Sequence, residues 1–569
     1  MGYLEEYERW CVNAPELNDE LAALKANDDE LCDAFRCELA FGTAGLRGVI
    51  GAGPNRMNVY TVGKATQGLA DYLNAHCQNP SVAISRDSRN LGEVFVATVA
   101  GVLAANGVCA YVYTRPVPTP ACSFAVRHLG CDAGINVTAS HNPANYNGYK
   151  VYGSDGCQIA SHAADAIQDS INKTDFFTGI KQVSLEEGVA AGLVKWVPES
   201  VYDAFLDAVQ EQSLPASDAA SSPVKIVYTP LNGTGLECVT RILARNNIRD
   251  VVVVPQQAAL DGNFPTCPYP NPEIREALQC GLDLCDSVNP DLLLATDPDA
   301  DRVGIAVAHK GSHVLLTGNE VGALLCDYVA RTRKERGQDL SQMVAVTTIV
   351  STAMVDALAK DYGFELRRTL TGFKHIGGQI ALLEQAGHPE RFMIGFEESY
   401  GYLVGTHVRD KDAVVASMLI CQMAQYHRSC GRDLVDAMQD LYEAYGYYKN
   451  VTVSLSYPGA KGASRMAQLT SGLRSNPPAN IAGLKVEEVI DYACGAPMPI
   501  VGPSAQKEPQ SLPAADVIEF KLEGNAKMIV RPSGTEPKIK AYVFAYGKTQ
   551  AQASEQAEAL VAAANDLLG

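Results

Sequence analysis

Three times along this chain an apolar, strand-like run stops at a polar loop, and helix-period segments separate these runs. Residues 133–138 open into Ala139-Ser140-His141, and residues 291–295 into Thr296-Asp297-Pro298-Asp299. Residues 391–394 open into Gly395-Phe396-Glu397-Glu398-Ser399. Around the first loop, residues 81–85 and 109–114 read as further strands. Between them lies a helix over 93–105 with Phe95, Val99, Val102 and Leu103 on one face, stopped at Asn106-Gly107. Strands at 224–228, 251–254 and 344–349 and a helix at 237–245 continue the alternation. Strands alternating with helices predict α/β domains with mainly parallel, mixed sheets. In such sheets ligand groups sit on loops at the carboxyl ends of strands, which is where all three polar loops fall.

The end of the chain differs. Residues 526–530 and 539–544 read as two strands joined by a polar turn, before an Ala-rich helix from Gln550. This predicts a smaller α+β domain, with residues 497–515 inside it as a surface loop. A chain of 569 residues exceeds one core, since domains run at about 150 residues each. The division expected is 1–210, 211–316, 317–442 and 443–569.

Composition removes several classes of function. No apolar run reaches the roughly 18 residues needed to span a bilayer, and the acidic, amphipathic start reads as neither signal nor transit peptide. The sixteen cysteines show no C-x-x-C pair and no zinc spacing, so free thiols in a reducing compartment, the cytoplasm, are expected. Net charge is −19 without a Lys/Arg run, which argues against nucleic acid. An acidic chain that binds an anion must gather its few cations locally, beside Gly, Ser and Thr.

Four loops meet that description or supply its counterpart. Ser140 follows a buried strand, and Pro143 keeps the segment out of helix. The pattern is not an esterase elbow, and taken alone Ser140 reads equally as a turn serine. Asp297, Asp299 and Asp301 alternate in Asp297-Pro298-Asp299-Ala300-Asp301-Arg302. Fully extended, they would lie about 6.8 Å apart, too far for one ion, so the loop must curve. Oxygen-only ligands suit magnesium or calcium rather than zinc. Arg302 and Ala308 occupy the glycine and glutamate positions of an EF-hand and exclude it. Glu397 and Ser399, on flexible backbone before Tyr400-Gly401, suit sugar hydroxyls. Arg531, Ser533, Gly534 and Thr535 combine a guanidinium fork, hydroxyls and a glycine into a phosphate cradle. No nucleotide-binding glycine motif occurs, so ATP and NAD are not expected partners.

In this order the four loops, with Phe41-Gly42-Thr43-Ala44-Gly45-Leu46-Arg47-Gly48, resemble the α-D-phosphohexomutase family of phosphoglucomutases and phosphomannomutases. The DPDADR form of the acidic loop is most similar to the long bacterial and phosphoglucomutase-2-like branch. The resemblance covers nearly the whole chain and implies four domains around a central cleft. It implies that Ser140 carries a phosphoryl group and that Asp297, Asp299 and Asp301, with Ser140, bind one Mg2+. Glu397 and Ser399 would hold sugar hydroxyls; Arg531, Ser533, Gly534 and Thr535 would hold the phosphate that is not reacting. His141, Lys150 and Arg302 would line the reacting phosphate, with Arg47 near Ser140 and Lys374 touching substrate. Arg409 and Lys411 would assist with phosphate. The activity implied is exchange of glucose 1-phosphate and glucose 6-phosphate through glucose 1,6-bisphosphate. Phosphomannomutase, phosphopentomutase and bisphosphate synthase activities remain the alternatives, and oligomeric state is left open.

Overall fold

A computed structural model describes residues 2–42, 45–215, 222–457, 459–502, 510–533 and 538–569. The chain forms two compact units: Met1–Leu315 with Gly377–Pro389 and Gly401–Ser429, and Leu316–Ile376 with Glu390–Tyr400 and Cys430–Gly569.

The first unit carries two sheets. Strands β1 (Leu46–Val49), β2 (Ser81–Arg86), β3 (Cys109–Val112), β4 (Ala133–Val137), β5 (Tyr146–Gly153) and β6 (Val194–Trp196) lie in the order β1-β5-β4-β2-β3-β6. The β4, β2, β3 and β6 pairings are parallel, whereas β5 runs antiparallel to both β4 and β1. Val82, Ile84, Ile135 and Val137 pack with Phe95, Val99 and Leu103 of the helix Gly92–Ala105 in one core. That helix ends as its sequence dictates, with Gly107 at a φ of +75°. The helix Val59–His76 starts where the Asn58 side chain accepts the N–H groups of Tyr60 and Thr61. The amino-terminal helix Tyr3–Asn13 is held by Trp10, which is fully buried among Phe35, Tyr60, Phe176 and Phe177.

The second sheet repeats the plan. Strands β7 (Ile226–Thr229), β8 (Val251–Val253), β9 (Leu292–Thr296), β10 (Val303–His309) and β11 (Ser312–Leu316) lie in the order β11-β10-β9-β7-β8. Strand β7 is parallel to β8 and β9, and β10 turns back antiparallel on β9. Both the Ser140 loop and the aspartate loop therefore join a strand to an antiparallel neighbour, β4 to β5 and β9 to β10.

In the second unit β12 (Val344–Thr348) lies between β13 (Glu365–Thr369) and β14 (Phe392–Glu397), parallel to each. Strand β14 is longer than expected and ends on Glu397, with Gly395 inside it under Ile376 and Phe392. The remainder is an antiparallel sheet in which Tyr447–Ser456 pairs along its whole length with Lys538–Gly547. Strands Ala526–Pro532, Ile518–Leu522 and Leu484–Asp491 follow. The Ala-rich helix Gln550–Leu568 packs on this sheet through Ala557, Leu560, Ala564 and Leu568.

Of residues 497–515, expected as a surface loop, 503–509 lie outside the described residues, and those on either side form short strands. Ile500–Val501 adds an antiparallel strand to β13, and Ser511–Leu512 pairs with Ala496–Pro497. Met498 and Leu512 are buried with Ile349 and Leu370. The prolines disguised this packing, because a short edge strand tolerates the missing N–H that a central strand does not. All sixteen cysteines are free thiols. Among the described residues no helix is long and apolar enough to cross a membrane.

Candidate active site

Ser140 sits just past the carboxyl end of β4, 2% exposed, with a φ of +53°. A serine in the left-handed region is uncommon and marks a loop whose surroundings over-determine it. Its Oγ donates to Asp297 Oδ2 at 2.9 Å and lies 3.2 Å from His141 Nδ1.

The aspartate loop solves the spacing problem by curling around its first residue. Asp297 Oδ1 accepts the backbone N–H groups of Asp301 and Arg302 at 3.1 and 3.0 Å. Ala300 turns the chain at a φ of +48°. The three carboxylates thereby each bring an oxygen within 4.8 Å of the other two. All three residues are buried, with 0–1% exposure. Asp299 Oδ1 and Asp301 Oδ1 are buried without a hydrogen-bond donor. Converging, under-satisfied carboxylate oxygens are the donor set of a hard divalent cation, and the residues present fit one.

Electrostatics tell the same story. Burial, and then the charges of Asp299 and Asp301, push the Asp297 carboxyl well above its ordinary range. Burial acts the same way on Asp299, but Lys150 and Thr119 overcome it and hold that carboxyl below its ordinary range. Lys150, on β5, stands 2.7 Å from Asp299 Oδ2 and 3.2 Å from Asp301 Oδ2. Lys411 Nζ lies 3.2 Å from Asp301 Oδ2 and from Asp410 Oδ1. Burial would lower the Lys150 ammonium, yet Asp299 and Asp301 raise it above its usual value. Burial, and then Arg302 and Arg47, hold the His141 imidazole well below its usual value.

Other expected residues fall around this cluster with different partners. Arg302 reaches Glu273 at 3.0 Å and flanks Asp301 at 3.8 Å. Arg47 donates to Asn142 Oδ1, two residues past Ser140. Arg409, expected beside phosphate, is 1% exposed, and its guanidinium is turned to Glu384 and to the carbonyls of Thr406 and Val408. A buried guanidinium needs its donors matched, and these partners take up Nη1 and Nη2, while Nε is left without a hydrogen-bond acceptor.

The second unit gathers a separate set. Glu397 Oε1 accepts the Gly372 N–H at 2.7 Å, which ties the end of β14 to the Thr371-Gly372 turn before Lys374. Burial, followed by the charges of Lys374 and Arg531, lowers the His375 imidazole to about 4. Burial first, and then Glu398, raises the Tyr542 phenol, with Arg531 opposing. Arg531 thus acts on both groups, with Lys374 on His375 and with Glu398 and Glu397 on Tyr542. Ser399 lies partly buried in the loop after β14, and Gly318 beneath that loop has no room for a side chain. A Cβ there would stand 2.1 Å from the Glu398 carbonyl oxygen. Ser533 is partly buried and donates its N–H to Lys538 O. Gly534 and Thr535 lie outside the described residues.

The sequence reading missed Thr119, whose Oγ1 donates to Asp299 Oδ2 at 2.6 Å, and it missed Asp87 and Arg89. Asp87-Ser88-Arg89 is a polar loop directly after the parallel strand β2, so the strand-end rule that found Ser140 also applied to it.

Comparison with known proteins agrees along the chain. Residues 38–178, 203–311 and 317–445 match the phosphoglucomutase/phosphomannomutase alpha/beta/alpha domains I, II and III, and residues 503–563 match the C-terminal domain. A phosphoglucomutase of Staphylococcus aureus is 36% identical over 514 residues, 90% of each chain. That of Staphylococcus saprophyticus is 35% identical over 522 residues, 90% of this chain and 92% of the relative. The fold is shared with two solved structures. One is a phosphoglucomutase/phosphomannomutase family protein of Burkholderia thailandensis (TM-score 0.65, 18% identity, 93% of this chain and 96% of that one). The other is parafusin of Paramecium (TM-score 0.66, 16% identity, 94% and 95%).

Proposed function

We infer, because this chain belongs to the phosphoglucomutase/phosphomannomutase family and is a phosphosugar mutase, that it interconverts glucose 1-phosphate and glucose 6-phosphate. The reaction runs through a phosphorylated Ser140 and a glucose 1,6-bisphosphate intermediate. The observation that carries the reading is the 2.9 Å hydrogen bond from Ser140 Oγ to Asp297, the first of three converging carboxylates. The family relatives named phosphoglucomutase support glucose as the sugar.

In the first half-reaction a free hydroxyl of the sugar monophosphate attacks the phosphoserine. The new sugar O–P bond forms as the Oγ–P bond breaks, the hydroxyl proton passes to a base, and Ser140 leaves with a proton. Turned in the site, the bisphosphate returns its other phosphoryl group by the reverse steps, so no phosphate is lost. His141, within reach of Oγ, and Lys150, on Asp299 and Asp301, are the proton-handling groups. Asp297, Asp299 and Asp301, with a phosphoserine oxygen, would hold Mg2+, which supplies Lewis-acid neutralisation of the phosphoryl charge. Arg302 and Arg47 add fixed positive charge beside His141.

The grip on the rest of the substrate belongs to Glu397 and Ser399 for hydroxyls and to Lys374, Arg531, Ser533, Gly534 and Thr535 for the idle phosphate. We assign these roles within four domains, 1–210, 211–316, 317–442 and 443–569. The acidic charge and free thiols suit a cytoplasmic enzyme of small phosphosugars rather than a nucleic-acid partner.

The test is an assay with hexose and pentose 1-phosphates, with and without glucose 1,6-bisphosphate. Fastest conversion of glucose 1-phosphate, stimulated by the bisphosphate and abolished in Ser140→Ala with sugar-phosphate binding retained, is expected. Turnover by Ser140→Ala rejects the covalent route; a preferred mannose or pentose substrate rejects glucose.

A further inference from the structure

Both backbone groups of Ser140 are tied to one buried ion pair in the loop that follows another strand. Asp87 and Arg89, two residues apart in the loop after β2, are fully buried side chains with Arg89 Nε 3.3 Å from Asp87 Oδ2. Thr138 Oγ1 donates to Asp87 Oδ2 at 2.5 Å and itself accepts the Ser140 N–H at 2.9 Å. On the other side Arg89 Nη2 donates to the Ser140 carbonyl at 2.6 Å and to the Asn142 carbonyl. Arg89 Nη1 donates to the carbonyls of Pro143 and Tyr146 at 2.8 and 3.0 Å. The guanidinium is covered by the ring of Phe264 at 5.1 Å.

We propose that Asp87, Arg89 and Thr138 are positioning residues that hold Ser140 in its left-handed conformation and so aim its Oγ at the acidic cluster. The proposal deepens the phosphoserine reading and rests on it. The geometry favours this role over plain loop packing for two reasons. A serine at a φ of +53° carries a cost of about 1–2 kcal/mol and persists where its surroundings over-determine it. The same pair supplies both restraints, one through a hydroxyl relay and one directly. A planar fork of fixed donors can span four carbonyls, whereas a lysine ammonium with three donors on a flexible stem cannot. None of the three side chains is assigned to the substrate. Their loss should therefore disturb the aim of Oγ rather than the grip on sugar phosphate, and a misplacement of about 1 Å can cost on the order of 100-fold in rate.

The experiment compares wild type, Thr138→Val, Thr138→Ser and Arg89→Lys. It reads kcat and KM with glucose 1-phosphate, and the rate at which glucose 1,6-bisphosphate phosphorylates the protein, followed by intact mass. The expected result for Thr138→Val is a folded protein whose kcat and phosphorylation rate fall about 10- to 100-fold, with KM within about 2-fold of wild type. Thr138→Ser, which keeps the hydroxyl, restores most of the rate; Arg89→Lys does not preserve it. A folded Thr138→Val with wild-type kcat overturns the proposal, as does a loss that appears only in KM. Should Thr138→Val not fold, Arg89→Lys decides alone: wild-type kcat there overturns the clamp, and a lowered kcat at constant KM supports it. Ser140→Ala separates the two readings. If it is inactive while the clamp variants are normal, only the clamp fails; if it turns over, the phosphoserine reading fails and the clamp with it.

Discussion

Lys150 Nζ and Asp299 Oδ2 stand 2.7 Å apart in the interior of the first unit, one on strand β5 and the other in the loop after β9 of a different sheet. Removing one partner of a buried ion pair leaves the other charge uncompensated, which costs about 3–5 kcal/mol. Here it would leave the three carboxylates with less positive charge to offset their mutual repulsion. Lys150→Met is expected to lower the unfolding free energy by that order, read as a lower urea midpoint, and to abolish turnover. A midpoint equal to wild type would show that the pair contributes nothing to folding.

A divalent cation in the aspartate trio binds the folded state alone, so it must stabilise that state. At a Mg2+ concentration 100 times Kd the gain is about 2.7 kcal/mol. Chelation should therefore stop turnover and lower the melting temperature, and Mg2+ should restore both. Asp301→Ala should lose the Mg2+-dependent rise in melting temperature. An identical rise in that variant would place the ion elsewhere.

Gly318 opens the helix Gly318–Glu335 directly beneath the loop that follows β14. An added methyl would collide with the Glu398 carbonyl, and backbone cannot yield as a flexible side chain does. Gly318→Ala should shift the loop that carries Ser399 and raise KM for glucose 1-phosphate about 10-fold. Unchanged KM would separate that loop from substrate binding.

His375 gives the second unit a defined acid sensitivity. Its folded value near 4 lies below the ordinary 6.5, through burial and the charges of Lys374 and Arg531, so the unfolded chain binds the extra proton between these limits. Stability contributed by the neutral imidazole is complete above pH 6.5. It is lost as pH falls toward 4, by about 3 kcal/mol in all. The urea midpoint of wild type should thus fall more steeply from pH 7 to pH 4.5 than that of His375→Gln. Parallel slopes would contradict the assignment.

Much of this was legible in the amino-acid order. The β4 strand, the helix Gly92–Ala105 and the Ala-rich terminal helix follow from apolar periodicity and end signals, which are local. Ser140 and the aspartate loop stood out because each follows a largely apolar run. Ile500 and Val501 did not read correctly as loop, because their strand exists only where it meets the edge of β13. The partner that Arg409 has in the structure, Glu384, was not legible either, because it lies 25 positions away.

The sequence alone determined which segments become strands, which loops carry hydroxyls, carboxylates and guanidinium groups, and the family to which the chain belongs. Only the tertiary structure decided that three alternating aspartates curl onto one point, that Lys150 and Thr119 reach them, and that Asp87 and Arg89 restrain the backbone of Ser140. The reason is physical: strand and helix signals arise from neighbours a few residues apart. A hydrogen bond such as that from Ser140 to Asp297, 157 positions away, exists only after separate sheets have packed.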